Sequence, residues 1–264
     1  MILGFDIGNT HIVPIFYDNN GKIKASFRIP TRLSFTEDTL FSMLKTLADN
    51  NNINIYDITD IIVSSVVPHI NEIFEYLGQN YFNIQPEFIS LDTIDDEIKL
   101  LDGMERGLGA DRIADILAAK KIFPEKEFVI IDFGTATTFD AVKNSTYMGG
   151  CILPGIELSI NTLFNNTAKL PKIKFEKPDT VFGIDTVTQI NAGIFYGNVG
   201  TIKELISQYK KGMPEAYIIS TGGQGRKISE YISEIDEYIP KLGEKGIFEF
   251  YKLRKNNRFI KEKK

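Results

Sequence analysis

The sequence opens with MILGFDIGNT at residues 1–10, a short apolar run that ends on Asp6 and leads into a Gly-Asn-Thr turn. The apolar residues from Ile2 to Phe5 predict a buried β-strand, and Gly8-Asn9 predicts the turn that follows it. A strand that ends in a carboxylate, followed by a glycine turn and a hydroxyl, can bind a phosphate through its backbone N–H groups. A single turn of this kind is also common in ordinary hairpins, so it leaves the function open.

The same order of residue types returns in the second half of the chain. Residues 128–140, FVIIDFGTATTFD, form a second apolar strand that ends at Asp132 and is followed by a glycine and Thr135. The strands and helices expected around both segments follow a similar β-β-β-α-β-α order, which indicates an internal duplication. We therefore expect two domains, residues 1–118 and 119–264, with a cleft between them.

Hydrophobic periodicity predicts the elements around these strands. The strongest helix prediction covers Gly109–Phe123, where Ile113, Ile116 and Leu117 lie on one stripe. Further strands are expected at residues 11–17, 22–29, 60–67, 135–142, 147–153 and 216–220, near 88, and further helices at residues 36–48, 70–77, 156–164 and 187–209 and after 225. This alternation predicts an α/β protein with mixed sheets flanked by helices.

A third segment, STGGQG at residues 220–225, places Gly222 and Gly223 between an expected strand and an expected helix. Glycines at this position let a flat base and a ribose lie against the backbone, because no Cβ atom blocks them. Alone the segment could be only a turn. Together with the two acidic turns it indicates a nucleotide site of the actin and hexokinase type, with two RNase H-like domains and five-stranded mixed sheets.

A fourth segment, Gly109-Ala110-Asp111-Arg112, begins the predicted helix at residue 109. An acid at a helix N-terminus is favourable by position alone, so Asp111 could be a simple end charge. Arg112 points to a second interpretation, because its planar guanidinium can bind a substrate carboxylate through two hydrogen bonds. The adjacent Asp111 could then accept a hydroxyl proton during phosphoryl transfer.

Charge, cysteine content and hydrophobicity indicate which partners and which cellular compartment to expect. The 264 residues carry a formal net charge of -5, which argues against binding to nucleic acid or anionic lipid. The chain has one cysteine, which suits a reducing compartment. It shows no signal-peptide pattern and no apolar stretch long enough to span a membrane. We therefore expect a soluble, cytoplasmic protein without a membrane segment. The Lys-rich residues 252–264 are interpreted as a frayed, solvated terminus.

Over nearly its whole length the chain resembles type III pantothenate kinases. The resemblance rests on the order of eight motifs: DIGNTHIV, SSVVP, GADRIAD, DFGTATTFD, GGCILPGIELS, TAKLP, IDTVTQINAGIFYG and STGG. It implies transfer of the γ-phosphoryl group of ATP to the primary hydroxyl of pantothenate, the first step of coenzyme A synthesis. It also implies a homodimer that needs Mg²⁺ and a monovalent cation, K⁺ or NH₄⁺.

The resemblance also implies roles for individual residues. Asp111 would be the general base, Asp132 a ligand of the monovalent cation, and Asp6 the carboxylate offered to Mg²⁺. Contacts to ATP would come from Asp6, Ile7, Gly8, Asn9, Thr10, His11, Ile12, Val13, Thr135, Gly222 and Gly223, and contacts to pantothenate from Gly109, Ala110, Asp111, Arg112 and Thr186.

The chain departs from its family just before the predicted helix. Relatives commonly have a Tyr seven residues before the Gly-x-Asp-Arg motif and an Asn-Pro pair between the two, where this sequence has Asp102, Met104 and Glu105. The acids at 102 and 105 would repel the carboxylate of pantothenate unless Arg106 or Arg112 screens them. Two alternatives stay open: another small-molecule kinase of the same superfamily, and a catalytically silent relative with a regulatory role.

Overall fold

The computed structural model describes the chain except for residues 32–33, 95–96, 105–106, 168–169 and 263–264, and describes residues 257–262 by their backbone alone. The chain divides into two compact units. The first unit comprises Met1–Ile98, Gly103–Pro124 and Leu242–Lys264, and the second comprises Lys99–Asp102 and Glu125–Lys241. Residues 105–106, and residues 168–169 of the TAKLP motif, carry sequence interpretations that lie outside the described residues.

Both units combine strands and helices. The strands are β1 (Ile2–Ile7), β2 (His11–Tyr17), β3 (Ile23–Ser26), β4 (Ile29–Pro30), β5 (Asp60–Ser65), β6 (Glu87–Phe88), β7 (Lys99–Leu100), β8 (Phe128–Phe133), β9 (Ala136–Lys143), β10 (Thr146–Pro154), β11 (Tyr217–Thr221) and β12 (Glu237–Tyr238). The helices are α1 (Glu37–Asp49), α2 (Asn71–Leu77), α3 (Ala110–Ile122), α4 (Ile156–Asn165), α5 (Thr186–Gly212), α6 (Gly225–Ser229) and α7 (Leu242–Glu262). The long predicted helices and strands are confirmed with small shifts at their ends.

The two sheets repeat one topology. In the first unit the strand order is β3-β2-β1-β5-β6, and β4 pairs with β2. In the second unit the order is β12-β11-β8-β9-β10, and β7 is added beside β10. In the first sheet β1 pairs antiparallel with β2 and parallel with β5, and in the second sheet β8 pairs antiparallel with β9 and parallel with β11. This repetition confirms the predicted mixed sheets, and one short additional strand extends each five-stranded core.

The two faces of the first sheet are covered by different helices. Leu3, Phe5 and Ile7 on one face of β1 belong to a buried core that includes residues of α1 and α2. Side chains alternate between faces along a strand, so Gly4 and Asp6 point to the opposite face. A Cβ atom at Gly4 would lie 2.9 Å from Cγ2 of Ile247 in α7, which identifies this second face as the one that α7 covers.

Helix α7 corrects one expectation about the C-terminus. The interpretation of residues 252–264 as a frayed terminus is wrong for the described part, since α7 continues to Glu262. Its buried residues Leu242, Ile247 and Phe250 hold it against the first unit. The helix approaches α3 so closely that a Cβ at Gly246 would be 1.8 Å from the carbonyl oxygen of Ala114. The domain boundary expected after residue 118 stays a prediction.

Candidate functional site

The turn between β1 and β2 is held by hydrogen bonds to the rest of the first unit, and its tip is exposed. The N–H of Gly8 donates to the carbonyl oxygen of His11 at 2.9 Å, and the hydroxyl of Thr31 donates to the carbonyl oxygen of Gly8 at 2.7 Å. Asn9, Thr10 and His11 are exposed. Among the described residues, a Cβ atom at Gly8 would make one contact, 3.5 Å from the oxygen of His11. Protein packing alone therefore does not require a glycine at position 8.

The remaining residues of the predicted phosphate loop take different positions. Ile7 and Ile12 are buried in the core of the first unit, at 1% and 0% exposure. Their side chains cannot reach a ligand on the outer side of the turn, so only their backbone groups are available. Val13 is partly buried on β2, opposite Asp6 in the sheet register.

Asp6 lies in an acidic environment within the first unit. Burial raises the pKa of its carboxyl group to about 7, and the negative charges of Asp111 and Glu244 add to that increase. The phenol of Tyr17, which is fully buried, donates to the backbone carbonyl oxygen of Glu244 at 2.5 Å. Carboxylates from α3 and α7 thus act on the Asp6 carboxylate of β1, although sequence reasoning did not single out Glu244.

Asp111 occupies the first turn of α3, after the N-cap residue Gly109. Its Oδ1 accepts the backbone N–H of Arg112 at 2.8 Å. Burial raises the pKa of Asp111, while the N–H and the positive charge of Arg112 act in the opposite direction. A Cβ at Gly109 would be 2.7 Å from this Oδ1, so a side chain there would displace the carboxylate. Asp111 can therefore act both as a favourable charge at the helix N-terminus and as a functional carboxylate.

The corresponding turn of the second unit follows β8. The N–H of Gly134 donates to the carbonyl oxygen of Ala136 at 3.1 Å, which closes the turn and leaves Gly134 and Thr135 exposed. Gly155 packs beneath it, since a Cβ there would be 2.3 Å from the carbonyl oxygen of Thr135. Gly155, in the GGCILPGIELS motif, therefore packs against the backbone of the turn that carries Thr135, the predicted ATP contact.

The two glycines after β11 have different surroundings. Gly222 has φ +88° and lies over β8, where a Cβ atom would be 2.3 Å from Oδ1 of Asp132. The phenol of Tyr238 donates to the carbonyl oxygen of Gly222 at 3.2 Å. Gly223 is exposed, and in the described part of the chain no atom lies within 4 Å of a Cβ atom placed there. Gly222 is thus required by the fold, whereas Gly223 leaves open backbone for a ligand.

Thr186 is the first residue of α5 and is exposed. The preceding Asp185 caps this helix, because its Oδ1 accepts the N–H of Thr188 at 2.8 Å. Thr186 is thereby fixed in a well-defined first turn. In the predicted pantothenate segment, Ala110 is buried at 7% exposure and Asp102 is exposed.

No ready-made metal site exists in the described ranges of the chain. Among those residues, no three His, Cys, Asp or Glu side chains lie close enough together to hold a metal ion. A divalent cation near Asp6 would therefore need water and phosphate oxygens as its other ligands, which is how Mg²⁺ is commonly bound beside nucleotides. The charge environment of Asp6 fits such a cation, because a positive ion would relieve the repulsion from Asp111 and Glu244.

Sequence comparison finds close relatives over the whole chain. Residues 2–208 match the family model described as type III pantothenate kinase. A type III pantothenate kinase of Fusobacterium nucleatum is 45% identical, covering 97% of this chain and 100% of the relative. One from Agathobacter rectalis is 41% identical, covering 98% of each chain.

Solved structures share the fold at much lower identity. A Campylobacter jejuni protein described as a candidate Baf-family transcriptional activator superposes with a TM-score of 0.60 at 21% identity, covering 96% of this chain and 99% of the other. A Sinorhizobium meliloti protein described as a candidate 2-dehydro-3-deoxygalactonokinase gives 0.62 at 8% identity, covering 96% of each. The 2-hydroxyisocaproyl-CoA dehydratase activator of Clostridium difficile, solved with bound ADPNP, gives 0.52 at 14% identity, covering 97% of each. These similarities confirm the predicted actin-like fold class. In the described part of the chain, no helix is long and apolar enough to cross a membrane.

Proposed function

The chain belongs to the type III pantothenate kinase family, and from that premise we propose which residues carry out its reaction. As a member of this family it phosphorylates pantothenate with ATP in coenzyme A biosynthesis, and it uses a divalent metal. The observation on which the assignment rests is the position of Asp111, at the N-terminus of α3 and within electrostatic reach of Asp6.

Asp111 acts as the general base toward the primary hydroxyl of pantothenate. In a loose phosphoryl-transfer transition state the hydroxyl proton leaves late, so a carboxylate with a modest pKa is sufficient. The hydrogen bond from the N–H of Arg112 fixes Oδ1 of Asp111, and we assign Oδ2 to the substrate hydroxyl. The guanidinium of Arg112 supports this role, because it can bind the carboxylate of pantothenate. Gly109, Ala110 and Thr186 complete the substrate contacts that the family motif implies.

The phosphates of ATP are bound by the turn from Asp6 to Val13, with Thr135 as a further contact. The support is the exposure of Asn9 and Thr10 and the space around Gly8, where a phosphate oxygen can approach the backbone. Ile7, His11 and Ile12 belong to the same loop, and Ile7 and Ile12 contribute backbone only. The open backbone at Gly223, supported by Gly222, accepts the adenosine part of ATP.

Two cations assist the reaction. Asp6 holds Mg²⁺, which supplies positive charge to the transferred phosphoryl group when it is bound. Asp132 holds K⁺ or NH₄⁺; the support is its partly buried carboxylate at the end of β8, between the turns at Gly134 and Gly222. Large monovalent ions are coordinated by carboxylate and carbonyl oxygens, and both kinds of oxygen occur in these turns.

An ADP-release assay tests the proposal. Pantothenate is compared with a panel of hydroxy acids and sugars, with and without K⁺, and ADP release is expected with pantothenate alone. Release with a sugar or acetate instead would favour another kinase of this superfamily. Absence of release with every substrate would favour a regulatory relative, although that class would be expected to have lost Asp111 or Asp132, and this chain retains both.

The protein forms a homodimer through the second unit. Large apolar side chains are exposed there: Ile152, Leu158, Leu163, Phe164, Val181, Phe182, Ile184 and Val187. Phe182 and Ile184 are 79% and 92% exposed, which is costly in water unless a second copy covers them. They lie directly before α5, whose first residue is Thr186. The family resemblance implies the same oligomer.

The oligomeric state can be measured by light scattering on a sizing column. Wild type is expected to have twice the mass of the chain, and the double variant Phe182→Ser, Ile184→Ser is expected to be monomeric. Tyr56→Ser is the matched control, because Tyr56 is 66% exposed on the first unit and should not change the mass. A monomeric wild type at micromolar concentration would contradict the dimer. We also infer that the protein is a cytoplasmic enzyme with neither nucleic-acid nor membrane partners. This inference rests on its role in coenzyme A synthesis and on its net negative charge.

A further inference from the structure

Ser64 is located beside Asp6 by the register of the first sheet. Strands β1 and β5 are parallel, and Asp6 is the direct partner of Ser64. Side chains of partnered residues in neighbouring parallel strands project from the same face of the sheet. Ser64 therefore shares the face of Asp6, opposite the face where Phe5 and Ile7 enter the core.

The hydroxyl of Ser64 is buried without a partner. Ser64 is 1% exposed, and among the described residues its Oγ makes no hydrogen bond. The next residue behaves differently, since Oγ of Ser65 donates to Oδ1 of Asn71 at 2.7 Å. A buried hydroxyl without a partner is costly, and alanine or valine would pack a buried strand without that cost. An unsatisfied hydroxyl next to Asp6 therefore points to a function that needs it.

The duplicated fold repeats this arrangement in the second unit. There the register of β8 and β11 makes Asp132 the direct partner of Thr221, which is 3% exposed. The residues that follow the hydroxyls differ, Ser65-Val66 in one unit and Gly222-Gly223 in the other. A hydroxyl beside the acid is thus shared by two units that otherwise diverge at this point.

We propose that Ser64 is a positioning residue whose hydroxyl donates to the carboxylate of Asp6 and fixes its orientation toward the divalent cation of ATP. This inference rests on the proposed function of Asp6. A hydrogen-bond donor beside Asp6 would hold its carboxylate in one orientation. A serine side chain can supply that donor by rotating about a single bond. Hydrogen-bond partners of metal ligands typically contribute about 10- to 100-fold to metal affinity or activity.

The test compares Ser64→Ala with Ser64→Thr, which keeps the hydroxyl and copies the residue at the matching position 221. Two quantities are measured: the Mg²⁺ concentration that half-activates the kinase, and Mn²⁺ binding in the presence of ADP by electron paramagnetic resonance. Ser64→Ala is expected to weaken both by about 10-fold or more, and Ser64→Thr is expected to restore at least half of the loss on a logarithmic scale.

Ser90→Ala is the matched control. Ser90 is a partly buried serine of the first unit, and its Oγ lies 3.5 Å from Oγ1 of Thr93, a contact that alanine removes. This variant is expected to lower the melting temperature without changing either Mg²⁺ activation or Mn²⁺ binding. If Ser64→Ala behaves in the same way, Ser64 is only structural and the inference is wrong. If wild type instead fails to phosphorylate pantothenate, the proposed function itself fails, so the two failures are distinguishable.

Discussion

The carboxylate of Asp132 lies directly beneath Gly222, so that a Cβ atom at Gly222 would be 2.3 Å from Oδ1 of Asp132 and 2.6 Å from the backbone nitrogen of Phe133. The backbone of Gly222 also has φ +88°, which side-chain-bearing residues rarely adopt. Two motifs that are about 90 residues apart in the sequence are therefore joined within the second unit, and the acid cannot keep its position if residue 222 has a side chain.

Gly222→Ala is expected to destabilise the protein by about 2 kcal/mol or more, because both the overlap with Asp132 and the positive φ oppose it. Gly223→Ala should leave the melting temperature nearly unchanged, since its Cβ would meet no atom of the described residues within 4 Å. It should raise the KM for ATP, because the added methyl group covers backbone that adenosine needs. Thermal unfolding and ATP titration measure the two effects. An unchanged KM in Gly223→Ala would remove this turn from the ATP site.

The raised pKa of Asp6 predicts a pH-dependent change in stability for Asp6→Asn. Well below the ordinary Asp pKa of 3.8, the carboxyl group is protonated in both the folded and the unfolded chain, so it costs nothing. As the pH rises toward 7, the unfolded chain releases this proton while the folded chain retains it, and the free energy of unfolding falls. Asparagine removes that penalty. Asp6→Asn should therefore be more stable than wild type at pH 8, by at most about 4 kcal/mol.

Urea unfolding of the nucleotide-free protein at pH 4.5 and pH 8 checks this expectation. The stability gain should shrink toward pH 4.5, and kinase activity should be lost at every pH. A variant that is less stable than wild type at pH 8 would contradict the buried, charge-crowded environment assigned to Asp6. Glu37→Gln, at the first turn of α1, is a control for a carboxyl group outside that environment.

The fold was predictable where the hydrophobic pattern of the sequence marks a long, buried strand or helix. The strand-acid-glycine segments at Asp6 and Asp132 begin the two sheets, and their repetition is visible in the sequence because both strands are buried and continuous. The strand expected at residues 22–29 is divided into β3 and β4, although both pair with β2. Short strands such as β12 carry too few residues for a pattern.

The candidate site was only partly predictable, because several of its relationships depend on register and long-range packing. Helix α7 returns to the first unit and carries Glu244, yet its Lys-rich end suggested a solvated tail. Ser64 lies within a quoted motif, but its place beside Asp6 depends on the pairing of β1 with β5. Nothing in the local sequence states which strand pairs with which, so these neighbours appear only in three dimensions.

Asp111→Asn is expected to reduce kcat by about 100- to 10,000-fold and to leave ATP binding nearly unchanged. Asparagine removes the proton acceptor, while its side-chain oxygen can still accept the N–H of Arg112 that now bonds Oδ1. The helix start should therefore survive, and the melting temperature should change little. Steady-state kinetics and ATP titration measure the two properties. Retention of more than about a tenth of wild-type kcat would exclude Asp111 as the base.

The monovalent cation provides a separate test of Asp132. Activity is expected in K⁺ or NH₄⁺ and is expected to be lost in buffer that contains Na⁺ alone. Asp132→Asn, which preserves the size of the side chain beneath Gly222, should have low activity in every salt. Full activity in Na⁺ alone would show that Asp132 does not hold such an ion, and strong K⁺ activation of Asp132→Asn would move the ion elsewhere.

Asp102→Tyr tests where pantothenate binds. Relatives commonly have a tyrosine at this place as a substrate contact, whereas this chain has an exposed acid that would repel the carboxylate of pantothenate. Loss of one hydrogen bond weakens binding by about 0.5–1.5 kcal/mol, or roughly threefold to tenfold. Wild type should therefore have a raised KM for pantothenate and a kcat near that of its relatives. The substitution should lower KM and leave kcat nearly unchanged.

Asp102→Asn separates the two causes, because it removes the negative charge without supplying the phenol. If repulsion dominates, Asp102→Asn should recover most of the KM improvement, and if the missing hydrogen bond dominates, only Asp102→Tyr should recover it. Rising salt should lower the KM of wild type in the first case, since screening weakens the repulsion between exposed charges. A KM that is unchanged or higher in Asp102→Tyr would mean that this segment does not contact pantothenate, and the substrate contacts would then have to be assigned around Arg112 and Thr186 alone.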